Sequence, residues 1–414
     1  MLTHRRPYAL RSLALVFALV AGLSVVLGAV LSEAQAQTAP QYTFTKVADS
    51  VEDGFDPNSF GCAAINTRGD IAFGAERLAP DGFNTDPGIY RANAADGALT
   101  TIAENPKRFV TIGLNPSIND SGQVSFAARL DGGKKPDTEA ILRGDGRKLT
   151  TIATTADQFN FFGFDTSINN SGEVAFTAEL DEEFGFDEGL FSGSGGKRGV
   201  TTHYLTSTDV SLDGQQVRFV GNDSRPSINN VGHIAFAESI QPNFDSGIFV
   251  GREGDFTQIV APDPSVGFVV PILNDAGTVA FHRFFFDETT QQSAEEIVKV
   301  DADGTSTVVA DTRGEFASFG FRPPSLNNEG DVAFLATLDD FSTTGIFVGP
   351  DPINDRVIAT GDTLDGSTVQ NITFCEEGLS DTGELAFVAQ LKAPVTPETP
   401  EGYRVAVFRA TPNP

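Results

Sequence analysis

One short pattern, Asn-x-x-Gly-x-(Val/Ile/Leu)-(Ala/Ser)-Phe, recurs along this 414-residue chain and constrains its fold more than any other feature. It starts at Asn66, Asn119, Asn169, Asn229, Asn274 and Asn327, and a last copy carries Ser380 in the Asn place. The copies lie about 45 to 60 residues apart, the period of propeller blades rather than of short-period β-helices. In the third copy Ser167-Ile168-Asn169 ends a short strand, Asn170-Ser171-Gly172 makes a tight turn, and Glu173 to Leu180 alternates as a second strand. The Asn side chain can bond backbone groups just downstream, and the Gly supplies the positive φ that such a turn needs. A third strand follows at Gly189 to Gly193, and fourth strands are plain at Leu149 to Ala153, Phe256 to Val260 and Ser306 to Ala310.

Four short antiparallel strands per unit describe a propeller blade. The repeat therefore predicts an all-β fold: a single seven-bladed β-propeller of four-stranded antiparallel blades over residues 37–414. The strand after the turn explains why units must stack. Val174, Phe176 and Ala178 face one way and Glu173, Ala175 and Thr177 the other, so a large face can nest on a small one. The repeated phenylalanines are read as core, not as ligand contacts.

Two features predict a closed ring. The last copy reaches Tyr403 to Phe408 with no outer strand after it, while Tyr42 to Asp49 matches the outer-strand pattern and can complete that blade. The two cysteines, Cys62 and Cys375, each precede a turn, in the first and last copies. Those copies are neighbours only in a closed circle, and in an oxidising compartment the pair is expected as a disulfide; two buried free thiols are the alternative.

Residues 1–36 read as a signal peptide: Arg5, Arg6 and Arg11 precede an apolar run from Leu13 to Leu31 and a small-x-small site at Ala34-Gln35-Ala36. The run is also long enough to be kept as an anchor. In both cases the folded part is expected outside the cytoplasm, secreted, periplasmic or extracellular, with no membrane insertion after cleavage. The formal net charge of −28 excludes nucleic acid and anionic lipid as partners, because a polyanion gains nothing from an acidic surface. Solubility is the plain reading of that acidity, and binding of cations or basic partners the functional one.

With its motifs in view, the chain resembles the bacterial tandem NxxGxxAF-repeat extracellular proteins and, more distantly, the HAF extracellular repeat family. Asn66-Gly69-Ala72-Phe73 and its equivalents carry the likeness, with Ser125 for Ala and Ser380 for Asn as departures. The resemblance implies a secreted or surface-displayed propeller of unassigned activity.

In a propeller the second-to-third loops open on the same side as the blade-to-blade loops. The former are acidic here, foremost Asp181, Glu182, Glu183, Asp187 and Glu188, with Asp287-Glu288 and Asp339-Asp340. Those five residues form the candidate binding site, against the plainer reading of a solvated rim. The blade-to-blade segments Phe159 to Phe164 and Phe316 to Phe321 are rich in Phe and Gly, and their alternation suggests packing between blades. No catalytic residue is assigned: His203, His233 and His282 fall in different copies, and no nucleophile elbow or zinc motif is present. No cofactor is expected. Asp301-Ala302-Asp303-Gly304 offers only a fragment of a Ca²⁺ loop.

The sequence thus reads as a monomeric, exported binding or structural module that meets an unknown protein or envelope component through its acidic face. The alternative is a polysaccharide hydrolase or lyase using carboxylates on that face. Absence of Trp weighs against sugar platforms. Convergence of two or three acids on the axis with shifted pKa values would favour the enzyme.

Overall fold

Each turn Asn does more than shape its own hairpin. In the computed structural model, which describes residues 41–414 except 80–84, 105–107, 186, 197–198 and 222–224, Asn169 Oδ1 accepts from the backbone N–H of Ser171 (3.1 Å) and Glu173 (3.0 Å). Its Nδ2 donates to the carbonyl of Asn229, the turn Asn of the next copy, at 3.1 Å. The same link runs from Asn66 to Asn119, from Asn119 to Asn169, from Asn229 to Asn274, from Asn274 to Asn327 and from Asn327 to Ser380, at 3.0 to 3.3 Å. The motif is therefore a fastener between copies as well as a turn. Gly172 takes φ +78° and packs under Arg143 of the preceding copy, so both its missing Cβ and its backbone freedom are used.

Ser380 has no amide to donate, so the chain of links stops at the junction of last and first copies. That junction is held differently. Cys62 and Cys375 form the expected disulfide, with Cα atoms 5.8 Å apart, and the Ile65 N–H donates to the Glu377 carbonyl at 2.9 Å. Tyr42–Asp49 pairs antiparallel with Tyr403–Pro412, Tyr42 opposite Pro412.

The sheets follow the repeat in chain order. The first holds Ala63–Ile65, Ile71–Leu78, Thr85–Ala92 and Leu99–Glu104. In the second, Phe109–Ile112 and Ser117–Ile118 both pair with Val124–Leu130, followed by Thr138–Gly144 and Leu149–Thr154. The third is Phe159–Ile168, Val174–Leu180, Glu188–Gly193 and Val200–Leu205. The fourth is built on Ile234–Ile240, Asp245–Arg252 and Asp255–Val260 and has seven strands. Val266–Leu273, Val279–Asp287, Gln292–Val300 and Ser306–Asp311 make the fifth. Around Val332–Leu338 and Thr344–Phe347 lies a five-stranded sheet, and Leu385–Lys392 with Tyr403–Pro412 centres another.

This corrects the expectation of a uniform seven-bladed propeller with four strands in every blade: the sheets hold four, five or seven strands. Pro116, Pro226 and Pro324 stand just before the short inner strands Ser117–Ile118, Ser227–Ile228 and Ser325–Leu326. Each lacks a ladder N–H, but proline alone does not divide the strand: Val266–Leu273 runs unbroken through Pro271, as the third copy does through Thr166. Insertion adds strands elsewhere. Val210–Leu212 and Gln215–Val217 form a hairpin whose first strand lies parallel to Asp255–Val260, and Thr363–Leu364 adds a hairpin to Ser367–Thr373.

The core lies between the sheets and follows the large-on-small rule. Val124 and Phe126 pack with Ala72 and Ile89 of the preceding copy, and Ile234 and Phe236 with Ala175 and Leu190. Val279 and Phe281 meet Ala235 and Ile248; Leu385 and Phe387 meet Ala333 and Ile346. Ile71 and Phe73 of the first copy pack with Ala386 and Val388 of the last, which closes the circuit. All these motif phenylalanines are buried, each about 1% exposed or less, and burying such a ring is worth about 1.5–3 kcal/mol. The signal segment expected at 1–36 lies outside the described residues.

Candidate functional site

The acidic loop expected to bind is a structured turn. Asp181 Oδ1 accepts from the Glu183 N–H at 3.0 Å and caps a single 3₁₀ turn, Glu182–Phe184, that ends on Gly185 at φ +94°. Asp187 accepts from Thr206 Oγ1 at 2.8 Å and from the Ser207 hydroxyl. The Glu188 N–H donates to Thr206 Oγ1 at 3.3 Å. The loop therefore brings Glu182 and Glu183 to the exposed surface, while Asp181 and Asp187 shape the backbone that presents them.

The Phe-rich segments beside it alternate between core and surface. Phe159 and Phe162 are buried, whereas Phe161 and Phe164 emerge, Phe164 being 68% exposed. Phe316 and Phe319 are likewise buried and Phe321 is 63% exposed. Packing between copies explains only the inward half. Phe162 and Phe164 also border a largely apolar cleft of about 300 Å³ with Ile112, Ala127, Arg129 and Glu139.

Carboxylates do converge inside the ring, at a place the sequence did not single out. Arg225, just before the inner strand of the fourth copy, forms an ion pair with Glu376 of the last copy and lies 3.7 Å from Asp165 Oδ1 of the third. Ser117 Oγ donates to Glu377 Oε1 at 2.8 Å. Burial pushes the Glu377 carboxyl up, against the Arg225 charge and the hydrogen bonds from Ser117 and Ile118 that pull it down. No local motif marks this cluster, because its members come from different copies. Arg225 and Glu376 are nearly enclosed, with side chains 8% and 5% exposed, and Asp165 keeps a solvent face at 35%.

At the turn end of the axis a polar collar surrounds an opening of about 150 Å³. Asp120, Asn170, Asn230, Asp275, Asn328 and Asp381 each accept, through a side-chain oxygen, the N–H of the equivalent residue one copy earlier, at 2.6 to 3.0 Å. Asp275 also receives the amides of Asn230 and Asn328, at 2.7 and 3.1 Å. The collar's carboxylates are thus engaged in tying neighbouring turns together.

The histidines are structural in geometry. His203 Nδ1 accepts the Glu253 N–H at 3.0 Å, which places its proton on Nε2, 2.9 Å from Ser192 Oγ. Ser192 in turn donates to Glu173 at 2.5 Å. An imidazole that donates to the hydroxyl cannot also take its proton, and Ser192 is fully buried, so this trio is not a nucleophile with its base. Burial, then the Arg252 charge, depresses His203 to about 4, against a small opposing pull from Glu253. His282 is also buried, 3.2 Å from Glu295 and surrounded by Phe284, Phe319 and Phe321. Burial favours a higher Glu295 pKa, but the bond with His282, the Phe319 N–H and Ser318 hold it below the ordinary value. His233 sits in its turn, donating its N–H to Asn229 at 2.9 Å.

The Ca²⁺ fragment at Asp301 to Gly304 is a strand-connecting turn in which Asp303 accepts the Thr305 N–H at 2.9 Å. Among the described residues, no three His, Cys, Asp or Glu side chains are grouped to hold a metal. No described helix is long and apolar enough to cross a membrane.

A family model described as "Family of unknown function (DUF7453)" matches residues 105–403. Comparison with curated proteins returns no match. Among solved structures, the chain is similar to the β-propeller domain of the Trilobed protease from Pyrococcus furiosus, at 10% identity and TM-score 0.47, over 80% of this chain and 89% of that one. It is similar to Pyrococcus horikoshii acylaminoacyl peptidase at 11% identity and TM-score 0.47, over 81% of this chain but 49% of the peptidase. Polysaccharide lyase Uly1 aligns at 10% identity and TM-score 0.44, over 85% and 89%.

Proposed function

Since the chain belongs to this family of unknown function, DUF7453, we propose from its own geometry that it is an exported binding or structural module. It engages a protein or cell-envelope component through the acidic loop face, as a monomer outside the cytoplasm. One contrast carries the reading. The interior groups with chemical potential, Ser192 with His203 and Arg225 with Glu376, are enclosed in hydrogen-bonded networks, whereas Glu182 and Glu183 stand exposed on a loop braced by Asp181 and Asp187. Loops on a rigid scaffold are where recognition concentrates.

The test is in-situ crosslinking of the mature protein, followed by mass spectrometry of what is recovered with it. A stoichiometric partner that disappears when Asp181, Glu182, Glu183, Asp187 and Glu188 are replaced by Asn and Gln supports the reading. A partner indifferent to those changes, or none, counts against it. The convergence of Asp165, Glu376 and Glu377 near Arg225 favours a second reading, a polysaccharide hydrolase or lyase. That reading requires polysaccharide turnover that Glu376→Gln abolishes in a folded protein.

A further inference from the structure

The loop face of the fourth to sixth copies presents a set of exposed phenylalanines, one of which, Phe321, also packs beside His282 and Phe284. Phe244 lies in the second-to-third loop of the fourth copy and is 61% exposed; Phe341 lies in that of the sixth and is 81% exposed. Phe286, at the end of Val279–Asp287, is 55% exposed, and Phe321 is 63% exposed. Phe244, Phe286 and Phe341 lie at the same end of their sheets, and Phe321, between Phe316–Ser318 and Ser325–Leu326, joins the fifth copy through Phe284 at 5.3 Å between ring centres.

Backbone conformation separates these rings from incidental surface hydrophobes. Phe244, Phe321 and Phe341 have φ of 62°, 52° and 54°. That left-handed region suits Gly, Asn or Asp and is unfavourable for a bulky side chain. The surrounding hydrogen bonds hold Phe341 there: its N–H donates to Leu338 O at 2.9 Å, and Asp340 accepts from Ser342 N, Thr343 N and Thr343 Oγ1 at 2.8, 2.7 and 2.6 Å. Phe244 N–H donates likewise to Ile240 O at 2.9 Å. An anchor ring on a pre-ordered loop loses little freedom when it docks.

Charge selects the occupant. Asp287 and Glu288 follow Phe286, Asp339 and Asp340 precede Phe341, and the Asp263 N–H donates to Ser246 O, just after Phe244. Hydrogen bonds from the Thr343 hydroxyl and the Ser342 and Thr343 N–H groups hold Asp340 down at about 2, and the Thr289 N–H, against slight burial, lowers Asp287. Of the nearby cations, Arg283 and Arg313 are both committed to Glu296, leaving Arg322 as an exposed guanidinium. Such a surface repels anionic lipid and complements a polypeptide whose apolar side chains alternate with lysine or arginine.

We propose that Phe244, Phe286, Phe321 and Phe341 form an aromatic docking surface for a basic, apolar-bearing protein segment. The proposal rests on the acidic-face reading above and moves its centre from the loop at Asp181 to the fourth to sixth copies.

The full chain is titrated by calorimetry with a synthetic peptide of alternating lysine and leucine. An all-lysine peptide of equal charge and a glutamate–leucine peptide serve as references. The lysine–leucine peptide should bind, and the double substitution Phe244→Asn and Phe341→Asn should weaken it at least about tenfold. The melting temperature should stay level or rise, because Asn accepts the left-handed backbone. Equal binding of the all-lysine peptide overturns the proposal, as does binding unchanged by the double substitution. A melting temperature that falls with the rings overturns it too, by making them structural. Loss of binding only on neutralising Asp181 to Glu188 sinks the aromatic surface while sparing the acidic-face reading.

Discussion

Asn169→Ala is the sharpest test of how neighbouring copies are fastened. The side chain is 4% exposed. Its Oδ1 accepts from Ser171 N (3.1 Å), Ser171 Oγ (2.7 Å) and Glu173 N (3.0 Å), and its Nδ2 donates to Asn229 O (3.1 Å). Alanine removes all four contacts and cannot reorganise to replace them. Two backbone N–H groups are orphaned at a site water barely reaches, each at a cost of about 1–3 kcal/mol, while the Asn229 carbonyl keeps the Gly232 N–H at 3.0 Å. With Ser171 partly solvated, the total comes to about 2–4 kcal/mol. Urea unfolding followed by far-ultraviolet circular dichroism reads this as a lower midpoint at unchanged slope. A loss under about 1 kcal/mol would refute the fastening role, since one ordinary hydrogen bond would account for it.

Asn169→Asp sharpens the test, because it keeps the acceptor and turns the donor into an anionic oxygen facing the Asn229 carbonyl. The folded state then favours the protonated acid, so the folded pKa is raised above the unfolded value of about 3.9. Relative to wild type, the variant should be least stable near neutrality and recover as pH falls through that raised pKa. A deficit independent of pH would exclude the donor's part in the link.

Three further outcomes follow from the same structure. Ser380→Asn should supply the missing link to the Asn66 carbonyl and stabilise by about 1 kcal/mol, read by urea titration, with a larger gain once the disulfide is removed. Cys62→Ser with Cys375→Ser opens a bond spanning 313 residues; loop-closure entropy predicts a loss of up to about 6 kcal/mol, and an unchanged urea midpoint would contradict a fastening role at that junction. His203, held at about 4 by burial, binds its proton less readily folded than unfolded, so its contribution is present above about 6.5 and lost as pH falls from there to about 4. That amounts to about 3 kcal/mol, and wild type should lose that much more stability than His203→Gln between pH 7 and pH 4.

Alternation and turn chemistry made the repeat legible before any coordinates. Asn with Gly three positions on dictates a bonded hairpin, and Val-Ala-Phe dictates a strand buried on both faces, because these preferences are local. The Cys62–Cys375 bond followed from the expected closure of the circle, and burial of Val174, Ala175 and Phe176 at 0% exposure was visible at the local level. Strand count was not. Whether an inner strand runs whole does not follow from one residue, since Pro116, Pro226 and Pro324 precede divided strands while Pro271 lies within an unbroken one, and a hairpin such as Val210–Val217 pairs by geometry that no local preference encodes.

The candidate sites divide the same way. An acidic loop from Asp181 to Glu188 could be named from sequence, because charge is a property of residues in a row. The grouping of Arg225 with Glu376 and Asp165 could not, since it joins distant copies across the ring and only closure brings them together. Exposure of Phe244, Phe321 and Phe341 was equally hidden: the left-handed backbone that turns them outward is imposed by the loops that hold them. Sequence by itself determined the repeating unit and its core face, both set by interactions within a few residues. Tertiary structure decided the strand count of each sheet, the charge network on the axis and which aromatic rings face solvent, because those depend on contacts between copies that exist only once the ring has formed.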